Sequence, residues 1–238
     1  MLIVSLGVLL CSTALAQYHS PSAAWQSMKI NQTVEPVFPR HLMNSGVTSG
    51  ACQVAIYVDT TGKLAEWLVT RYTDPEIGAA AVSAVKQWTF EPARMNGEPV
   101  GTTLELIFNF EARGVVVSTS TMSEAAELLT LHLRSGLFTY RPCSGEDLDR
   151  VPVPTVMVTP QYPKVLADKG VKGRVTVEYY IDETGAVRMP CVSPDDNPIL
   201  GSLTIAAVTQ WKFAPPTSHG RAVLVRAQQE FNFQEDHS

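Results

Sequence analysis

Residues 174–182 read RVTVEYYID. Val175, Val177, Tyr179 and Ile181 fall on one parity, and Thr176, Glu178, Tyr180 and Asp182 on the other. Side chains of a strand alternate between its faces, so the pattern predicts a strand with one face buried and one in water. Cys52, Val54, Ile56 and Val58 repeat it earlier in the chain. Each run ends in a turn, DTTG or DETG, whose Gly62 or Gly185 can take positive φ. A second strand over 64–69 or 187–192 then completes a hairpin. Ile77, Ala81, Ala84, Val85 and Trp88 recur at helical spacing, which predicts a helix over 76–88, with its counterpart over 199–211. Pro92 and Pro215 prevent the helices from running on. Turns at Asn96-Gly97 and His219-Gly220 lead to a last strand. There Leu104, Leu106, Phe108 and Phe110 alternate with Thr103, Glu105, Ile107 and Asn109. Upstream, residues 163–170 predict a short helical turn closed by Gly170.

These elements occur twice because the sequence does. With a shift of 123 residues, 50–110 aligns with 173–233 without a gap, and about 20 of 61 positions are identical. The phrase QWTFEP at Gln87 returns as QWKFAP at Gln210, and PVFP at Pro36 returns as PQYP at Pro160. Solenoids need three or more short repeats, so two copies of about 80 residues predict two domains with separate cores. The fold class is α+β: two tandem small domains, each a short antiparallel three-stranded sheet with a helix packed on one face, in the order β-β-α-β. The boundaries are 30–112 for the first domain, 113–150 for a linker and 151–234 for the second. In the linker, Thr121-x-x-Glu124 is a capping box followed by Ala125, Leu128, Leu129, Leu131 and Leu133, which predicts one helix ending at Gly136. The stretch 139–154 reads as irregular chain.

Residues 1–16, MLIVSLGVLLCSTALA, predict a signal peptide: an apolar run ending in Ala14-Leu15-Ala16, the small-x-small pattern of a cleavage site. The alternative is a retained anchor, although the run is shorter than the roughly 20 apolar residues that span a bilayer. Cleavage would remove Cys11 and leave Cys52, Cys143 and Cys191. Cys52 has core parity, which makes Cys143 and Cys191 the candidate disulfide.

Composition narrows the chemistry. A net charge of -5 with 17% charged residues excludes the basic surface of a nucleic-acid binder. The five histidines are scattered, no cysteine pair has metal-site spacing, and no nucleophile, phosphate-loop or dinucleotide motif is present. The expectation is therefore no enzyme, no cofactor, no metal and no small-molecule substrate. Trp88 and Trp211 read as core residues at a helix end, and Asp59 and Asp182 as turn residues bonded to backbone.

The motifs have a family likeness. A YP-x-x-A-like opening, a G-x-V strand, a D-x-x-G turn, a W-x-F-x-P phrase and a last strand ending in aromatic residues together resemble the C-terminal domain family of TonB, twice in tandem. The likeness covers about two thirds of the chain. Copy one carries Phe38 where the motif has Tyr, and Glu35 and Thr159 stand where the family places Gln. The resemblance implies a periplasmic protein of a Gram-negative envelope that grips a peptide, the TonB box of an outer-membrane receptor, by adding it as a strand to an exposed sheet edge. Carried onto this sequence, the edges are the last strands: Leu104, Glu105, Leu106, Ile107 and Phe108 in copy one, and Val225, Arg226, Ala227, Gln228 and Gln229 in copy two. Gln229 stands at core parity where copy one has Leu106, which makes that end shallow. A cleaved chain would not itself transmit force from the inner membrane, so the resemblance implies a binding role first. The alternatives are a membrane-anchored energy transducer facing the periplasm, or a structural assembly module, including a homodimer, whose copies occupy their own edges.

Overall fold

The structure, a computed structural model, describes residues 25–112, 114–120, 138–193 and 196–234. The expected signal segment and linker helix lie outside the described residues. In copy one, β1 (Trp25–Gln26) and β2 (Lys29–Gln32) precede α1 (Arg40–Asn44). Then come β3 (Ser49–Val58), β4 (Leu64–Tyr72) and α2 (Pro75–Val85). Short strands β5 (Thr89–Glu91), β6 (Ala93–Met95) and β7 (Glu98–Val100) lead to β8 (Thr102–Glu111) and β9 (Gly114–Ser120). Copy two has β10 (Pro154–Val156), α3 (Lys164–Asp168), β11 (Gly173–Ile181), β12 (Val187–Val192) and α4 (Pro198–Val208). It ends in β13 (Lys212–Phe213), β14 (Thr217–Ser218), β15 (Arg221–Ala222) and β16 (Val225–Phe233).

The main sheets are antiparallel, ordered β4-β3-β8-β9 in copy one and β12-β11-β16 in copy two. Copy two has the expected three strands. Copy one has a fourth, β9, inside what reads as linker. One helix lies on each sheet. Asp74 caps α2 through Glu76 N at 2.8 Å, and Asn197 caps α4 through Ile199 N and Leu200 N at 3.0 and 3.2 Å. Proline follows each cap at the first helical position, where its missing N–H is not needed. Both helices end three residues earlier than the apolar spacing predicts, at Val85 and Val208. The reason is the next tryptophan, which must turn under the helix. Trp88 Nε1 donates to Val34 O at 2.8 Å, and Trp211 Nε1 to Val158 O at 2.7 Å. Their rings pack on Phe108 and Phe231 of the last strands, 5.9 and 5.8 Å between centroids.

The repeated phrase also holds the hairpin turn. Phe90 and Phe213 lie on β5 and β13, which pair with β2 and β10. Gly62 and Gly185 come so close to them that an added Cβ would sit 2.6 Å from Phe90 O and 2.0 Å from Phe213 O. With φ of +83 and +86, both positions are closed to other residues by conformation and by space. Asp59 and Asp182 have the backbone role expected of them. Asp59 Oδ1 accepts from Thr61 N and Lys63 N at 2.8 and 3.0 Å, and Asp182 Oδ1 from Thr184 N and Ala186 N, both at 3.0 Å.

The second face of each sheet departs from the sequence pattern. Instead of meeting water, the two polar faces meet each other, and the layers run helix, sheet, sheet, helix. Ala55, Tyr180, Met189 and Leu224 are buried there, with Tyr57, Leu68, Tyr140 and Cys191 packed around them. Period-2 alternation assigns Tyr180 to solvent, yet it is 3% exposed. A bulge in β12 contributes to this shared core: the register with β11 shifts between Glu178 and Tyr180, and Met189 takes a φ of +53. Bulges re-aim side chains, and this one accompanies a Met189 buried between the copies. Copy-to-copy contact is face to face; among the described residues no strand of one copy's sheet pairs with a strand of the other's.

Candidate strand-binding edges and the face between the copies

The expected edge in copy one is not an edge. β9 pairs with β8 from Glu105↔Ser120 to Glu111↔Gly114, while β3 holds its other side. Glu105, Leu106, Ile107 and Phe108 are therefore interior to a four-stranded sheet, and Leu104 stands just beyond the last of these pairs. The cause is the segment after Glu111. Three successive valines, Val115 to Val117, follow Gly114 and suit an extended, half-buried strand. Val115 and Val117 pack against the copy-one core beside Phe110 and Phe108. This β-branched run was the available signal, and a turn before it completes a hairpin.

Among the described residues, the expected edge in copy two is open. β16 pairs with β11 along its whole length, from Val225↔Ile181 to Phe233↔Gly173. On its other side, among the described residues, Cys143 bridges Val225. From Arg226 onward, among the described residues, no strand lies beyond it. Val225 is buried, Arg226 and Ala227 are half-buried, and Gln228 and Gln229 are exposed. Arg226 Nη2 donates to Glu178 Oε2 at 2.7 Å, fixing the side chain along the sheet. The exposed Gln229 agrees with a shallow core at that end.

Cys143 and Cys191 carry no disulfide. Cys143 lies outside β16, whereas Cys191 is on β12, opposite Glu178 across β11. β12 and β16 flank β11, so at about 4.8 Å per strand the two sulfur-bearing strands are well over 10 Å apart. A disulfide requires Cα atoms within about 7 Å. Cys52 is buried in the first core. Burial pushes the Cys52 and Cys191 thiols up to about 12, which leaves them inert as nucleophiles.

Glu105 is the residue whose position the alternation pattern misplaces most. It is 1% exposed and points into the face between the copies. Tyr180 Oη of the other copy donates to Glu105 Oε1 at 2.8 Å, and Gln53 Nε2 donates to its second oxygen. Arg71 and Arg226 supply positive charge nearby. Burial raises the Glu105 carboxyl above the usual carboxylate range, and the Tyr180 bond, Arg226, Gln53 and Arg71 oppose that rise. At the rim, Arg188 Nε meets Glu66 Oε1 at 2.6 Å across the copies and Arg188 Nη1 meets Asp182 Oδ2 at 3.5 Å. The chain between the copies is tied in as well: Tyr140 stacks on Tyr72 at 4.8 Å and bonds Glu183 through its hydroxyl. No group of three or more His, Cys, Asp or Glu among the described residues could hold a metal ion.

The two structural copies coincide with two matches to one family. The family model for the Gram-negative bacterial TonB protein C-terminal matches residues 34–112 and 158–234, more than half of the chain. The chain belongs to the TonB C-terminal family. Among curated proteins, the TonB protein of Vibrio cholerae is 28% identical over 80 residues, covering 33% of this chain and 33% of that protein. The match thus spans about a third of the relative's length. Among solved structures, the solution NMR structure of the Pseudomonas aeruginosa TonB CTD is similar at 24% identity and a TM-score of 0.33, covering 42% of this chain and 98% of that one. Within this TonB-family chain, both matched segments contain the Trp-x-Phe-x-Pro phrase and the last strand. Only the second segment presents that strand at a sheet margin.

Proposed function

We propose that this TonB-family chain is a non-catalytic periplasmic binding protein that takes up extended segments of envelope proteins by strand addition. Outer-membrane receptors with a TonB box are the partner class, and the setting is TonB-dependent transport. The supporting observation is the margin of β16. From Arg226 to Phe233 its outer main-chain groups face no other strand among the described residues. The helix-side face of that sheet is covered by α4 and the other by copy one. An incoming strand would satisfy these groups through main-chain hydrogen bonds, and pockets for alternate side chains would select its sequence. No helix among the described residues is long and apolar enough to cross a membrane.

The test is a titration of the full chain with TonB-box peptides, followed by amide chemical shifts. Shifts concentrated on residues 226–232 support strand addition. Unmoved amides in that strand at saturating peptide refute it.

A further inference from the structure

The two last strands carry the same three residues at or next to their ends, Phe108-Asn109-Phe110 and Phe231-Asn232-Phe233. In copy one, the strand lying beside them is part of the same chain. Val115 stands opposite Phe110, Val117 opposite Phe108 and Thr119 opposite Leu106. The equivalent row on β16 is Phe233, Phe231 and Gln229. Phe231 is half-buried and Phe233 is buried at 6% exposure, against 0% for Phe108 and 1% for Phe110 beneath β9. A strand in the register of β9 would put its two β-branched apolar side chains beside the same two phenylalanines. Its third, hydroxyl-bearing position would then face Gln229 instead of Leu106, an amide that can hydrogen-bond a threonine. The replacement gives β16 a polar partner for that position where β8 has Leu106.

Charge points the same way. Gly114–Ser120 carries no ionisable side chain. On the opposite parity β16 shows Arg226, Gln228, Glu230 and Asn232, with Arg226 held by Glu178 and Glu230 by Arg174 at 3.4 Å. Both charges on that row are already partnered, so an added strand need bring none.

We infer that Gly114–Ser120 is a ligand-like strand held in cis on copy one, and that the open edge of β16 accepts a partner segment of the same chemistry. That segment is extended and uncharged, with β-branched apolar residues at two alternate positions and a small hydroxyl residue two further on. The tandem copies are then unequal: one equivalent edge is filled from within and the other receives the partner. This inference rests on strand addition as the proposed function and specifies the segment class and the copy that takes it.

The experiment is hydrogen exchange of the full chain with an end-blocked peptide, GVVVSTS. A control peptide carries Asp in place of the two core-facing valines. The expected result is exchange at least tenfold slower over 226–232 with GVVVSTS, little change with the control, and slow exchange over 105–111 throughout. In a Val117→Pro chain, exchange over 105–111 should rise and the added peptide should slow it again. Equal protection by the control, or exchange over 105–111 as fast as over 226–232 in the unmodified chain, overturns the inference. Protection of 226–232 by receptor peptides but not by GVVVSTS overturns it while leaving strand addition intact; protection by no extended peptide removes both. A concentration-dependent dimer with 226–232 already protected would make a second copy of the chain the occupant, and also overturns it.

Discussion

β8 and β16 are the same strand written twice, yet one is interior and the other marginal. Each pairs with the central strand of its copy, carries the Phe-Asn-Phe ending and receives the tryptophan that follows the helix. The difference comes from residues outside the repeat. Gly114–Ser120 follows β8 and folds back on it, making the sheet of copy one four-stranded. Equivalent sequence therefore produced equivalent local folds and cores, but not equivalent surroundings. A strand's role at a sheet margin depends on whatever chain reaches it, and homologous positions do not inherit that.

The strongest way to probe the comparison is to remove one core at a time. Trp88→Ala and Trp211→Ala should each cost about 3–5 kcal/mol, since each deletes a buried indole and leaves a main-chain carbonyl without its donor. Chemical denaturation followed separately in the two copies is the measurement. A loss in one copy accompanied by early unfolding of the other shows that the shared face couples them; two independent transitions show that it does not.

The next effect addresses that face directly. Tyr180→Phe removes the hydroxyl that bonds Glu105 across the copies. Leaving a buried acceptor without its donor costs about 1–3 kcal/mol, so the expected loss is about 2 kcal/mol. It should appear with increased proteolysis of the chain joining the copies. An unchanged denaturation midpoint would mean that the bond contributes nothing net.

Acidity separates the face from the turns. The Glu105 carboxyl is raised by burial, so the folded state holds its proton more tightly than the unfolded chain. Its contribution is full below the ordinary carboxylate range and is lost as pH rises through the raised value. The turn carboxylates behave oppositely. Hydrogen bonds from Thr61 and Lys63 lower Asp59. At Asp182 burial acts upward, but bonds from Thr184 and Ala186 outweigh it. Their contribution is present above the ordinary range and lost as pH falls through the lowered values. Glu105→Gln should remove only the first branch, flattening the decline above the ordinary carboxylate range and leaving the acid limb in place. Denaturation midpoints from about pH 3 to about pH 8 give the readout.

The smallest effect tests the edges themselves. Gln229→Leu makes the β16 row match Leu106, Phe108 and Phe110 of copy one. At an exposed position the stability change should stay within about 0.5 kcal/mol. Peptide affinity should shift toward segments with a third apolar residue in place of the hydroxyl one, measured by calorimetric titration. No change in preference would mean that this row does not read the added strand.

Much of this fold is legible along the chain. The turns at Gly62 and Gly185 and the core parity of Val54, Ile56, Val175 and Val177 depend on neighbours a few residues away. Spacing alone reveals them. The helix ends fall three residues short of their expected places because the pull on Trp88 and Trp211 comes from Val34 and Val158, more than fifty positions distant. The candidate disulfide fails for a similar reason: parity places Cys52 in a core but does not show that Cys143 and Cys191 flank different strands. Glu105 is legible only as part of an edge, because one-strand alternation assigns its parity to solvent.

By itself the sequence determined that there are two copies, the β-β-α-β order of each, the residues of each separate core and the turn chemistry that joins the strands. These follow from local periodicity and backbone preference, which act over a few residues. Only the tertiary structure decided that the polar faces close on each other around Tyr180 and Glu105, that β9 covers β8, and that β16 keeps its margin. Each is a contact between segments far apart in the chain, and its outcome depends on which surface is left for the next segment to bury.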